Sequence, residues 1–145
     1  MVFTGGLIMK GLRVYIAGPM ESVGGNWNMP LFDYVAKKLR DEGCEVFSPA
    51  EHLIDSHGSL ENVLKLDPAT RKTARNQALR DEILWIMDNA QLVLLLPGWE
   101  RSPGATAERA VALAIKLDVR EAGNIVLPTG EIDHNKPIDI APPAS

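Results

Sequence analysis

Leu92–Glu108, LVLLLPGWERSPGATAE, decides the fold. Five consecutive apolar residues, Leu92–Leu96, read as a strand buried on both faces, which is how strands at the centre of a parallel sheet read. Pro97-Gly98 stops the run. A loop carries Trp99, Glu100 and Arg101, and Ser102-Pro103-Gly104 opens a helix over Ala105–Leu117, with serine at the cap and proline in the first turn.

Upstream, Leu12–Ala17 (LRVYIA) forms the first strand and Gly18-Pro19 closes it. Met20–Asn28 is a glycine-containing loop. Pro30 starts a helix in which Leu31, Val35, Ala36 and Leu39 recur at helical spacing, and Gly43 caps its end. Glu45–Ser48 is the second strand, stopped by Pro49. Residues 51–70 lack a clean period and read as a long connection with one short helix at Leu60–Leu64. Arg71–Asn89 is helical, with Leu79, Ile83, Ile86 and Met87 on one face. Asn124–Leu127 (NIVL) reads as the last strand, and the proline-rich end reads as extended. The alternation of strands and helices makes this an α/β domain with a parallel sheet and right-handed crossovers. The expected division is an extension over 1–11, a domain over 12–128 and a tail over 129–145.

The chain has 145 residues, one cysteine and a net charge of −4. One domain fits that length. Without a basic block, nucleic acid and anionic membrane surfaces are disfavoured as partners. No apolar run approaches the roughly 20 residues of a membrane span, and Met1–Lys10 has the wrong charge order for a signal peptide. With Cys44 unable to form an internal disulfide, the expected compartment is reducing and cytoplasmic. His52 and His57 have no ligand company at metal-binding spacing, so neither a metal nor another cofactor is expected.

In a sheet of this kind ligands bind beyond the carboxyl ends of the strands. That rule gathers Gly18-Pro19, Pro49–His52 (with Glu51) and Pro97–Gly104 (with Trp99) at one edge. Glu108, Val111, Ala112 and Ile115 share a helix stripe, while Arg109, Lys116 and Arg120 form a polar one. A glutamate on the apolar stripe is either a hydrogen-bonded residue at the core margin or a functional carboxylate. Ser102 is either a helix cap or, with the free N–H groups at Gly104 and Ala105, an anion site. Asp81 and Glu82 form either a solvated face with Arg80 or a second carboxylate reaching the same crevice. Tyr15 is either a core tyrosine or part of that crevice.

VYIAGPM (Val14–Met20), Asn28-x-Pro30-x-Phe32, EVFSPAEH (Glu45–His52) and LLLPGWERSPGATAERAVA (Leu94–Ala112) together resemble a phage and bacterial group of small proteins. That group is related to nucleoside 2-deoxyribosyltransferases and 2′-deoxynucleoside 5′-monophosphate N-hydrolases. The resemblance covers about residues 12–118. It implies a flavodoxin-like, Rossmann-like three-layer fold, a homodimer or higher homo-oligomer, and cleavage of an N-glycosidic bond. By position, Glu108 is the nucleophile, and Asp81 or Glu82 is the acid that protonates the leaving base. Tyr15, Gly18, Pro19, Asn28, Glu51, Trp99, Ser102 and Gly104 are the implied substrate contacts. Serine six residues before the glutamate, where the transferases carry aspartate, points to a 5′-phosphate, because a hydroxyl at a helix N-terminus attracts the anion that a carboxylate repels. Gln91 departs from the aspartate common in relatives. The family also borrows a residue from a neighbouring subunit, for which this chain offers no assignable position. Base transfer, a non-catalytic nucleotide sensor and an NAD glycohydrolase are the competing readings.

Overall fold

The computed structural model describes residues 10–123, the backbone of 3–4, 7–8 and 140–141, and residue 132. Four parallel strands form the sheet: β1 (Arg13–Ala17), β2 (Glu45–Phe47), β3 (Leu92–Leu95) and β4 (Asp118–Ala122), in the order β2-β1-β3-β4. A two-residue strand, β5 (Ile140–Ala141), pairs antiparallel with β4. Phe3–Thr4 and Leu7–Ile8 form a separate antiparallel pair. The helices are α1 (Met29–Asp41), α2 (Pro49–His57), α3 (Leu60–Leu64), α4 (Pro68–Asp88) and α5 (Pro103–Ala114). The order 2-1-3-4 with helices on both faces is the flavodoxin-like arrangement, and its topological switch point lies between β1 and β3.

Alternation along the strands builds two cores. Val14, Ile16, Leu92 and Leu94 point to one face and pack with Leu31, Phe32, Val35 and Leu39 of α1. Tyr15, Ala17, Val93 and Leu95 point to the other and pack with Ile86 of α4 and with Ala105 and Ala112 of α5. Each fully buried Val, Leu, Ile or Phe side chain here stabilises the fold by about 1.5–3 kcal/mol. Small residues on α5 let that helix lie close to the sheet, which sets Glu108 against Tyr15 of β1.

Several boundaries differ from the expectations. Pro49 does end β2, but it also occupies the first turn of α2. The 51–70 region is therefore mostly helical. Its period was hidden because α2 turns polar His52, Ser56 and His57 toward a cavity rather than toward an apolar core. α4 starts three residues before Arg71, where the Asp67 side chain accepts a hydrogen bond from Thr70 N–H at 2.9 Å. Met87 is 54% exposed, so the buried face of α4 centres on Ile86. α5 ends at Ala114, and Lys116 takes a left-handed φ of 62° beyond it. Ile115 is consequently exposed, and Arg120 lies in β4 rather than on a helix stripe. The strand after α5 is DVREA, polar because it lies near the edge of the parallel sheet. Asn124–Leu127 lies outside the described residues, as does most of the 129–145 tail.

Candidate active site

A cavity of about 660 Å³ opens at the carboxyl ends of β1 and β3. α5 contributes Gly104 and Glu108, with Ser102 at its N-cap. α4 contributes Arg71, Arg75, Leu79 and Glu82. α2 contributes His52, Leu53 and His57, and the loop after β1 contributes Gly18, Met20, Glu21 and Trp27. The size suits a small organic ligand.

At its inner end Glu108 is 4% exposed and accepts a hydrogen bond of 2.5 Å at Oε2 from the Tyr15 hydroxyl. Tyr15 is wholly buried; its place in β1 aims it toward α5, and its ring stacks on Phe47 at 5.6 Å between centroids. Burial raises the proton affinity of Glu108 well above the ordinary carboxylate range, and the charge of Glu82 raises it further. The tyrosine O–H opposes both by favouring the anion. Burial, followed by the charge of Asp81, pushes Glu82 up to about 8. Burial and the two glutamates push Tyr15 well above its usual value, so it remains a donor. Two desolvated carboxylates facing one cavity resist joint ionisation. The Tyr15 O–H lowers the proton affinity of both carboxyls, and the pair shares a proton between them.

Ser102 lines the same cavity and caps α5, accepting a hydrogen bond from Ala105 N–H at 3.2 Å. The cap engages one of the helix's free N–H groups and leaves the first turn open beside Gly104. Gly18 sits where a Cβ would come within 2.8 Å of Leu96 Cβ, so only glycine fits between β1 and β3 there.

Gly18, Glu82, Ser102, Gly104 and Glu108 thus line one cavity, with Tyr15 behind them. The remaining expected contacts do not line it. Pro19 is buried, and its carbonyl accepts a hydrogen bond from Asn28 Nδ2 at 3.0 Å, so Asn28 holds the β1 loop in place. Glu51 makes a bidentate pair with Arg40 of α1, on the other side of α2. Trp99 packs against the α4/α5 core, donates to Glu121 at 2.9 Å and lies under Arg109. Asp81 turns from the cavity to His52 Nε2 at 3.0 Å and to Gln77. Between the two adjacent acids, Glu82 is therefore the one at the cavity. Gln91 accepts from Arg13 N–H at 3.0 Å, a structural role at the start of β3. Burial raises the Cys44 thiol to about 11, which makes it a poor nucleophile.

Sequence reasoning placed His52 at this edge of the sheet but missed the rest of the outer wall: Trp27, Arg71 and Arg75. Trp27 carried one signal, a neighbouring glycine pair in a loop of left-handed residues (Gly24, Gly25, Trp27 and Asn28 at φ 73°, 53°, 56° and 63°).

Residues 12–121 match the family described as a domain of unknown function, DUF4406. The chain belongs to that family. No curated protein is matched. The matched span of this DUF4406 domain begins just before β1 and ends in β4, so it takes in every residue named at the cavity. Among the described residues, no helix is long and apolar enough to cross a membrane.

Proposed function

We propose that the protein cleaves the N-glycosidic bond of 2′-deoxyribonucleoside 5′-monophosphates by hydrolysis. The observation that carries this reading is the Glu108–Tyr15 pair: a buried carboxylate, held by a buried hydroxyl, at the wall of an open cavity. With Oε2 engaged by Tyr15, Oε1 is available to attack C1′. The C1′–N bond breaks, its electron pair leaves with the base, and Glu82 supplies the proton the base requires. A glycosyl ester on Glu108 remains. Water then attacks C1′, its proton passes to the now anionic Glu82, and deoxyribose 5-phosphate is released with both carboxyl groups restored. A 2-deoxy sugar suits this chemistry, since it lacks the 2′-hydroxyl that disfavours positive charge at C1′. The 5′-phosphate rests at the N-terminus of α5, beside Ser102 and Gly104.

The test is to incubate the purified protein with deoxynucleoside monophosphates and measure free base and sugar phosphate. Release of both, abolished in Glu108→Ala, supports the reading. Transfer of the sugar to an added acceptor base reassigns the enzyme to base exchange. Ligand binding without turnover in either protein leaves only a nucleotide-binding module. The working assembly we propose is a homo-oligomer, since Leu84 and Met87 of α4 and Leu113 of α5 are exposed. A monomer mass in solution at micromolar concentration contradicts that part.

A further inference from the structure

His52 lines the cavity that holds the two glutamates, yet the reaction outlined above gives it no task. Its ring is held from two sides. It makes a tilted contact with Phe47, with centroids 5.3 Å and planes 43° apart, and Phe47 packs in turn on Trp85. Nε2 is 3.0 Å from Asp81 Oδ2, and Gln77 Nε2 donates to Oδ1 of the same carboxylate at 2.8 Å. Hydrogen bonds to Gln77 and His52 lower the proton affinity of Asp81, which keeps it an anion. An ionised carboxylate only accepts, so Nε2 must carry the hydrogen. In the neutral ring the other nitrogen, Nδ1, is then an acceptor, and among the described residues it has no hydrogen-bond partner. The imidazole side chain is only 24% exposed, so a ligand filling the cavity would leave that lone pair short of water.

We propose that His52 is a specificity-determining residue that selects the leaving base by its exocyclic amino group: Nδ1 accepts an N–H from a 4-amino pyrimidine or 6-amino purine and disfavours the oxo counterparts. Asp81 is the positioning residue that sets the tautomer. The inference rests on the nucleotide reading of the cavity. An oxo group presents a lone pair to a lone pair, and a site built around one hydrogen bond discriminates strongly against a ligand that cannot make it.

Equilibrium binding by calorimetry tests this without requiring turnover. dCMP is compared with dUMP, and dAMP with dIMP, at about pH 8. The wild-type protein is expected to prefer the amino member of each pair by about tenfold or more, the value of one hydrogen bond. His52→Phe keeps the ring packing and should bring both ratios to within about twofold. Asp81→Asn can present its amide N–H to Nε2, moving the ring hydrogen to Nδ1, and should reverse the preference. A purely structural His52–Asp81 pair would not produce that reversal. Equal affinities in the wild type, an oxo preference, or ratios unchanged in both variants overturn the proposal. Base release, measured in parallel, reports separately on the glycosidase reading. Selective binding without release refutes the glycosidase and keeps the selector, whereas release without amino selectivity does the opposite. Failure of all four nucleotides to bind refutes both.

Discussion

Glu82→Gln is expected to make the protein more stable and less active, and the stability gain should grow with pH. The carboxyl of Glu82 titrates near 4.5 when unfolded and is pushed up to about 8 in the folded chain, first by burial and then by Asp81. A raised folded value means that the native state binds more protons than the unfolded chain between those two limits. The stability associated with that proton is fully present below about 4.5 and is lost as pH rises through about 8. At about 1.4 kcal/mol per pH unit, the wild type forgoes at most about 3 kcal/mol at pH 7 and under about 1 kcal/mol at pH 5. The amide has nearly the same shape and no charge to desolvate, so Glu82→Gln should recover most of that difference. Urea titrations at about pH 5 and pH 7.5 measure it. With an m-value of about 1–3 kcal/mol/M, the variant's midpoint should exceed the wild type's by about 1 M or more at the higher pH and by little at the lower one. Some pH dependence persists in the variant, because Glu108 keeps the proton affinity that its own burial raises. Identical midpoints at both pH values, or a gain larger at pH 5, would refute the assignment of Glu82 as a desolvated carboxyl.

Three other outcomes follow from the same geometry. Tyr15→Phe removes the donor to Glu108 Oε2 and should lower kcat about 10- to 100-fold, the worth of a hydrogen bond to a charged group, with KM little changed; steady-state kinetics on a deoxynucleotide would show it. Ser102→Asp preserves a good helix cap but places an anion at the N-terminus of α5. Thermal stability should change by less than about 0.5 kcal/mol, while KM for a 5′-monophosphate should rise at least about tenfold relative to that for the unphosphorylated nucleoside. Gly18→Ala forces a methyl group within 2.8 Å of Leu96 Cβ and should cost about 1–3 kcal/mol in a urea titration.

Patterns carried by neighbouring residues were legible in the chain. The apolar run Leu92–Leu96, the helix spacing of Leu31, Val35 and Leu39, and Ser102-Pro103 each report a local preference that the tertiary structure keeps. So does Glu108, since an acid on an apolar helix stripe must be either satisfied or used. α2 was not legible, because its inward face is lined with polar side chains that meet a cavity instead of a core, and hydrophobic periodicity is blind to that distinction. β4 was missed because a strand near a sheet edge can carry Asp118, Arg120 and Glu121 without the alternation that marks a half-buried one.

By itself the sequence determined the parallel α/β architecture and the edge of the sheet at which the cavity opens, since chain direction and strand order confine loops and helix N-termini to that side. Which side chains meet there was decided only in three dimensions. Asp81 and Glu82 are adjacent in the chain but point about 100° apart around a helix, so one holds His52 and the other faces the cavity. Tyr15 and Glu108 are separated by 93 positions and touch because β1 lies beneath α5. Contacts of that kind depend on how elements pack, and no local propensity encodes them.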